Sequence, residues 1–363
     1  MRLSGLNNGA SIMTSTPSSV NILSVVRAKA PGKLFWSGEH AVVYDSMAML
    51  MAVEPGVTSD LFWVEQSGYW LEENGTVYYL DEDGLQALVT KLQFRYRDFV
   101  AGRRSIVGLL ENSYQLVAYH VAQVLKRWPN LRQSPGIYLR WTWGLVPGCG
   151  MGGSASLLWS VTRVLVGAQC WDWKCYYDCL VDSENLQHGH TSGLDIMAQA
   201  EGGVHIYQTD GHGHWCTKPV SLNYPFCLVY TGTPVCSTGE CVMWAATQFK
   251  KQPDLLLRGK QVVVSVIESV LNGDFEWFLF ALKSNQAWLE ELGVVPVKLQ
   301  AFRKIVNRYG GVFKLTGAGA VRGEGGGVGL LLGDGDWEQM VNNFGYRVLP
   351  ITLNESGVQL VSS

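Results

Sequence analysis

The sequence has few charged residues and no concentration of charge of one sign. Charged side chains make up 16% of the 363 residues, and the formal net charge is only −3. Nucleic-acid binding depends on a basic surface that neutralises phosphates, so a nucleic-acid partner is not expected. Hydrophobic residues make up 47%, which is typical of a globular chain and not of a disordered one.

Long apolar runs and secretory features are also missing. No run approaches the roughly 20 residues that a membrane-spanning helix needs, so no membrane association is expected. Residues 1–21 are rich in Ser, Asn, Gly and Thr and lack the basic start and apolar stretch of a signal peptide. We expect them to form a flexible extension. Without a signal, reduced thiols are the default for the eight cysteines, which predicts a cytoplasmic protein.

Two common site patterns are absent as well. No Cys-x-x-Cys pair and no His-x₃-His spacing occurs, so a zinc site is not expected. The run Pro147–Ser156 is rich in glycine but is not a Walker A motif, because Gly152-Gly153-Ser154 lacks the lysine that this motif requires.

Glycine, by contrast, is abundant, with 41 residues, and it is concentrated in residues 30–43, 147–156 and 314–329. The middle segment follows an apolar stretch and precedes an amphipathic helical pattern over Leu157–Val166. Bare amides that lead into a helix N-terminus form a site for phosphate. The residues expected to surround the phosphates there are Gly148, Gly150, Gly152, Gly153, Ser154 and Ala155.

A fourth segment, Asp182–Asp195, places one carboxylate in a predicted helix and another in a turn of small residues. Phosphoryl transfer needs a phosphate loop, a divalent ion, a cation and a group that positions the nucleophile. Ser154 and Glu184 are candidate oxygen ligands for Mg²⁺, Lys33 supplies positive charge, and Asp195 is a candidate base for an alcohol. A solvated surface position is the ordinary alternative for each carboxylate taken alone.

The order of predicted elements is α+β and not a strict βαβ repeat. Strands are predicted over Val25–Lys29 and Val57–Glu65, and a helix over Cys175–Leu186. A boundary between two domains is expected near Ser221–Pro225, just before a predicted strand.

The glycine segments resemble the three motifs of the GHMP kinases, the group that contains galactokinase, homoserine kinase, mevalonate kinase and phosphomevalonate kinase. Ala30-Pro31-Gly32-Lys33 with Gly38–Val43 is similar to the first motif, Pro147–Ser156 to the second and Lys314–Gly319 to the third. The motifs occur in family order at family spacing. Gly38–Val43 is most similar to mevalonate kinases.

The resemblance implies a two-domain α+β fold. Residues 22–222 would form a ribosomal S5 domain 2-like unit that holds the ATP-phosphate loop, and residues 223–363 a ferredoxin-like sandwich. The implied activity is phosphorylation of a small alcohol by ATP and Mg²⁺, with mevalonate as the expected acceptor. Phosphomevalonate kinase is the nearest alternative, and a catalytically weak binding or regulatory protein is a second. A homodimer is left open.

The resemblance also implies a role for individual residues. Asp195 would be the catalytic base with Lys33 beside it, and Ser154 and Glu184 would hold Mg²⁺. The residues carried over to the acceptor side are Glu39, His40, Thr238, Gly317 and Ala318. Trp36 is a further candidate for the wall of the acceptor pocket.

Four departures from the family pattern stand out. Gly153 replaces a serine, Asp45 replaces a glycine, and Cys236 stands where mevalonate kinases often have an arginine. Residues 320–324 separate the third motif from the glycines that normally follow it directly. The departures at 236 and 320–324 affect the expected acceptor more than the expected reaction.

Overall fold

The computed structural model describes residues 11–13, 21–210, 215–222 and 224–361. Apart from Ser11–Met13 and Asn21, the extension predicted over residues 1–21 lies outside these residues.

The described chain alternates groups of strands with groups of helices. The strands are β1 (Ser11–Met13), β2 (Ile22–Ser37), β3 (Ala48–Val64), β4 (Gly68–Glu73), β5 (Thr76–Leu80), β6 (Gly136–Trp143), β7 (Val204–Thr209), β8 (Trp215–Pro219), β9 (Phe226–Tyr230), β10 (Val312–Thr316), β11 (Val328–Leu332), β12 (Arg347–Leu349), β13 (Thr352–Leu353) and β14 (Gln359–Val361). The helices are α1 (Glu82–Val100), α2 (Ser113–Arg127), α3 (Gly153–Val166), α4 (Tyr177–His188), α5 (Leu194–Glu201), α6 (Thr238–Lys251), α7 (Pro253–Leu271), α8 (Phe275–Leu292), α9 (Val297–Arg308) and α10 (Trp337–Asn343).

The first sheet is built around β2 and β3, which pair antiparallel over most of their length. Its main path runs β1-β5-β4-β6-β3-β2-β14, and β7, β8 and β13 join it through β3. Only the β4–β6 pair on this path is parallel. Helices α1 to α5 lie between strands of this sheet along the chain. Helix α3 packs directly on β2 and β3. This packing brings the N-terminus of α3 close to Lys33 on β2.

The second sheet is antiparallel, with the order β10-β11-β9-β12. Counted along the chain from β9, this is the 4-1-3-2 order of a ferredoxin-like sheet, as predicted. Helices α8 and α9 pack on β10, and α7 packs on α8. The apolar core beside the second sheet continues into the first sheet. Leu34, Met49 and Val53 of β2 and β3 belong to the same buried cluster as Leu315 and Leu330.

The two sheets are also joined by the end of the chain. After β12, the strands β13 and β14 return to the first sheet and pair with β3 and β2. The division into domains at residues 22–222 and 223–363 stays a proposal. Strands β13 and β14 lie within residues 223–363, but they pair with strands of the first sheet. In the described part of the chain, no helix combines the length and apolar character needed to cross a membrane.

Candidate active site

The glycine-rich loop lies between β6 and α3 and has the backbone shape that only glycine adopts easily. Gly148, Gly150 and Gly152 all have positive φ angles, of 73°, 91° and 68°. Gly152 precedes the first residue of α3 and provides no side chain to cap that helix. The first amides of α3, from Gly153 to Ala155, are therefore left without a capping side chain, an arrangement suited to phosphate oxygens.

The other two motifs pack against this loop. The Lys33 amide donates to the Met151 carbonyl at 2.9 Å, and the Val328 amide donates to the Cys149 carbonyl at 3.1 Å. A Cβ at Gly150 would lie 3.2 Å from the Thr316 carbonyl oxygen. The three segments singled out in the sequence thus meet at one place.

Lys33 and Asp195 form the central charged pair of the site. The Lys33 ammonium lies 3.2 Å from the Asp195 carboxylate, with the lysine side chain 5% and the aspartate side chain 26% exposed. Asp195 is in the first turn of α5. The structure therefore brings together a buried cation and a solvent-accessible carboxylate, as the resemblance implies, while their catalytic roles stay predictions.

A histidine, His188, lies within hydrogen-bond distance of both Ser154 and Glu184. The sequence alone did not assign it to the site. His188 Nε2 lies 3.2 Å from Ser154 Oγ and 3.2 Å from Glu184 Oε2. Burial disfavours the charged imidazole, but the adjacent Glu184 carboxylate outweighs this effect, and the pKa of His188 is raised. The signal was present in the sequence, because Glu184 and His188 are one helical turn apart on α4.

The Ser154 hydroxyl and the Glu184 carboxylate fit a magnesium ion. Glu184 is 1% exposed, and its Oε1 atom is buried with no hydrogen-bond partner among the described residues. A buried carboxylate oxygen without a donor is one that a cation would satisfy. The described residues contain no group of three or more His, Cys, Asp or Glu side chains that could hold a metal. Ser154 and Glu184 would therefore share an ion with phosphate oxygens and water, as Mg²⁺ prefers.

Among the residues predicted to bind the acceptor, Glu39 is held by Lys314 in a buried ion pair. Burial lowers the pKa of Lys314, and the Glu39 carboxylate opposes that effect. The second oxygen of Glu39 has no partner within the described part of the chain. Lys314 begins the third motif, but the sequence reasoning gave it no role, because its contact with Glu39 spans most of the chain.

His40 is neutral and fixed beside this pair. Its Nε2 atom lies 3.0 Å from the carbonyl of Ala318. Burial lowers the pKa of His40 to about 4, the Ala318 carbonyl opposes this, and the charge of Lys314 adds to it. Gly317, which precedes Ala318, has a φ of 87° and packs on Gly150. Four of the five predicted acceptor residues, Glu39, His40, Gly317 and Ala318, thus lie in one connected group.

Thr238, the fifth, is exposed as the first residue of α6. The next residue, Gly239, is close enough to the site that an added Cβ would lie 3.1 Å from the carbonyl oxygen of His188. Trp36 was a further candidate for the wall of the acceptor pocket. It is fully buried against Phe226 and Phe278, because strand alternation turns it into the second core.

Cys236 has a structural role at the start of α6. Ser237 and Glu240 form a reciprocal capping box, and Cys236 precedes it. The Cys236 sulfur lies 3.6 Å from that of Cys241, so these residues occupy the two positions of a hydrophobic staple. The inserted segment 320–324 packs there through Ala320, and its Arg322 forms a 2.8 Å ion pair with Glu240.

The fold has counterparts among known proteins, although no protein-family model matches the chain. The mevalonate kinase of Archaeoglobus fulgidus is 25% identical over 302 residues, which cover 80% of this chain and 88% of that protein. The solved mevalonate kinase of Methanococcus jannaschii superimposes with a TM-score of 0.70 at 19% identity, over 93% of this chain and 99% of that one. The chain has the GHMP kinase fold.

A third comparison extends the likeness within this group. The phosphomevalonate kinase of Streptococcus pneumoniae, solved with phosphomevalonate and AMPPNP, has a TM-score of 0.62 at 18% identity and covers 91% of this chain and 100% of that one. The GHMP kinase fold is therefore common to relatives with different acceptors. The choice of acceptor has to be argued from this chain's own residues.

Proposed function

We propose that the protein transfers the γ-phosphoryl group of ATP to the hydroxyl group of a small alcohol, with (R)-mevalonate as the acceptor. The Lys33–Asp195 pair carries this proposal. Its 3.2 Å contact holds a carboxylate next to a buried cation, and the Lys33 amide is bonded to the phosphate loop itself. A base for the acceptor and a site for ATP phosphates are thus linked through one residue.

In the proposed reaction, the acceptor oxygen forms a bond to the γ-phosphorus as the bond from that phosphorus to the β-γ bridging oxygen breaks. Asp195 accepts the proton of the acceptor hydroxyl, and ADP leaves. Lys33 stabilises the negative charge on the transferred group, and the amides of the loop and of α3 hold the phosphates. Mg²⁺, held by Ser154 and Glu184, would neutralise part of the phosphate charge.

The acceptor assignment rests on the segment around Glu39 and His40. The unpartnered oxygen of buried Glu39 is an acceptor for a substrate hydroxyl, and His40 is fixed as a neutral imidazole. The likeness of this segment to mevalonate kinases, and the relative of that name, support mevalonate. Phosphomevalonate is the second candidate, because Arg322 places an exposed cation beside the first turn of α6.

A coupled assay of ADP release with purified protein tests both acceptors. We expect turnover with ATP, Mg²⁺ and (R)-mevalonate, and little with phosphomevalonate. Asp195→Asn keeps the size of the side chain but cannot accept the proton, so turnover should be lost while AMPPNP binding persists. Full activity in that variant would contradict the mechanism, and turnover with phosphomevalonate alone would assign the second acceptor. If MgATP binds and neither acceptor is phosphorylated, a binding or regulatory role replaces the enzyme proposal.

A further inference from the structure

Gln199 is a buried polar residue that the proposed mechanism does not use. It lies on α5 one helical turn after Asp195 and is fully buried. Its Nε2 atom donates to the carbonyl oxygen of Gly152 at 2.8 Å, while its Oε1 atom has no hydrogen-bond partner among the described residues. A buried amide with one bond directed at the glycine loop suggests that this bond has a purpose beyond packing.

The Gly152 carbonyl belongs to the same rigid plane as the Gly153 amide. A peptide unit is planar and trans, so its C=O and N–H point in opposite directions, and fixing one fixes the other. Glycine reaches both left- and right-handed conformations at little cost, which makes a peptide between two glycines easy to flip. Ser156 also donates to this carbonyl, at 3.0 Å, within the first turn of α3. The Gln199 side chain adds a second hydrogen bond to this carbonyl, from outside α3.

Gln199 and Lys33 both lie close to Gly152. A Cβ added at Gly152 would lie 2.7 Å from Gln199 Nε2 and 2.8 Å from Lys33 Cγ. The same helix, α5, therefore carries both Asp195, which lies beside Lys33, and Gln199, which is hydrogen-bonded to Gly152.

We propose that Gln199 is a positioning residue that fixes the Gly152–Gly153 peptide, so that the Gly153 amide stays directed at a nucleotide phosphate at a set distance from Asp195. This inference rests on the proposed function, since it assumes that the loop binds a nucleotide. The class of ligand is a nucleoside triphosphate, and the affected step is its binding and alignment.

Gln199→Met tests the proposal, because methionine has a similar length but cannot donate a hydrogen bond. Gln115→Met is the matched control. Gln115 is also fully buried, lies on α2, and accepts the Glu111 amide at 2.9 Å. We expect Gln199→Met to weaken Mg-AMPPNP binding by calorimetry about tenfold, as for the loss of one hydrogen bond, and to leave the KM for the acceptor unchanged. Gln115→Met should leave both unchanged.

Amide hydrogen exchange without nucleotide gives a second readout that does not depend on activity. The amides of residues 152–155 should exchange faster in Gln199→Met than in the wild type, with no such local change in Gln115→Met. If Gln199→Met does not fold, Gln199→Leu is the second variant, because leucine is smaller than glutamine and also lacks a hydrogen-bond donor.

Unchanged nucleotide affinity and unchanged loop exchange in Gln199→Met would overturn the proposal, and so would an equal loss of affinity for nucleotide and acceptor. If the wild type itself fails to bind Mg-AMPPNP, the proposed function fails. The exchange measurement then decides separately whether Gln199 fixes the loop.

Discussion

At the scale of single residues, the site requires glycine at positions where a side chain would not fit. Gly152 has a left-handed conformation, and any Cβ there would push against Lys33 and Gln199. We expect Gly152→Ala to lower kcat/KM by about 10- to 100-fold, because Lys33 must shift relative to the reacting groups. Steady-state kinetics with the preferred acceptor would measure this.

Gly102→Ala is the control for that variant. Gly102 also has a positive φ, of 71°, but a Cβ there would meet no atom within 4 Å. Gly102→Ala should lose about 1–2 kcal/mol of unfolding free energy from the left-handed backbone. Gly152→Ala should lose at least as much, because its Cβ also meets Lys33 and Gln199, and only Gly152→Ala should lose activity. Equal kinetic effects in the two variants would show that backbone strain, and not the contact with Lys33, is responsible.

Single residues were predictable where the backbone or the motif fixed their surroundings. Asp45, which replaces a family glycine, does adopt the left-handed conformation with a φ of 58°, which Asp tolerates better than most residues. Lys33 and Asp195 were placed together correctly. Lys314 and Gln199 were not assigned to the site, because their partners are set by tertiary packing and not by local pattern. His188 was not assigned either, although its spacing of one helical turn from Glu184 is a local signal.

At the scale of elements, helices α2, α3 and α4 meet at a neutral histidine. His120 on α2 lies 2.9 Å from Ser183 Oγ on α4 and 2.7 Å from Thr162 Oγ1 on α3. Burial lowers the pKa of His120 to about 3, and the Leu158 carbonyl opposes this effect. The imidazole is thus uncharged in the folded protein near neutral pH.

This histidine should make the protein less stable in mild acid. In the unfolded chain an imidazole takes up a proton below about pH 6.5, whereas folded His120 does so only near pH 3, so the free energy of unfolding falls as the pH falls between these values. Between pH 7 and pH 5 we expect His120→Gln to lose about 2 kcal/mol less than the wild type in urea unfolding. His190 is exposed, so His190→Gln is the control and should follow the wild type. Identical pH dependence in all three proteins would refute this account.

Elements were predictable where the pattern was long and periodic. The helix predicted over Leu157–Val166 is α3, which begins four residues earlier at Gly153. The strand predicted over Val57–Glu65 is the second half of β3, which continues back to Ala48 through Pro55 and Gly56. Gly56 lies so close to Ala30 that only a residue without a side chain fits. Helix α5 was missed because it has only eight residues.

At the scale of the whole molecule, the resemblance predicted both sheets but not how the chain end connects them. Asn354 lies between β13 and β14 and is buried. Its side chain donates to Glu54 Oε1 at 2.6 Å and accepts the Gly357 amide at 2.7 Å. Nothing in the local sequence indicated that these contacts reach back to β3.

Asn354→Ala should therefore lower the free energy of unfolding by about 2 kcal/mol, because it leaves the Gly357 amide without its partner. Asn272→Ala is the control, since Asn272 is exposed at the end of α7 and bonds only to the Glu268 carbonyl within the described structure. Chemical unfolding of the two variants would separate the effects. A loss no larger in Asn354→Ala than in Asn272→Ala would show that the chain end contributes little.

The return of β14 to β2 also sets a constraint on synthesis. During synthesis on the ribosome, β2 is made from residue 22 onward, whereas β14, which pairs with one edge of β2, is made only from residue 359 onward. At about 5–20 residues per second, roughly 20–70 s pass before the two can pair. During that time one edge of β2 is open to pairing with other chains, a hazard for any nascent strand. Yield should therefore depend on how well chaperones cover this edge while translation is still under way.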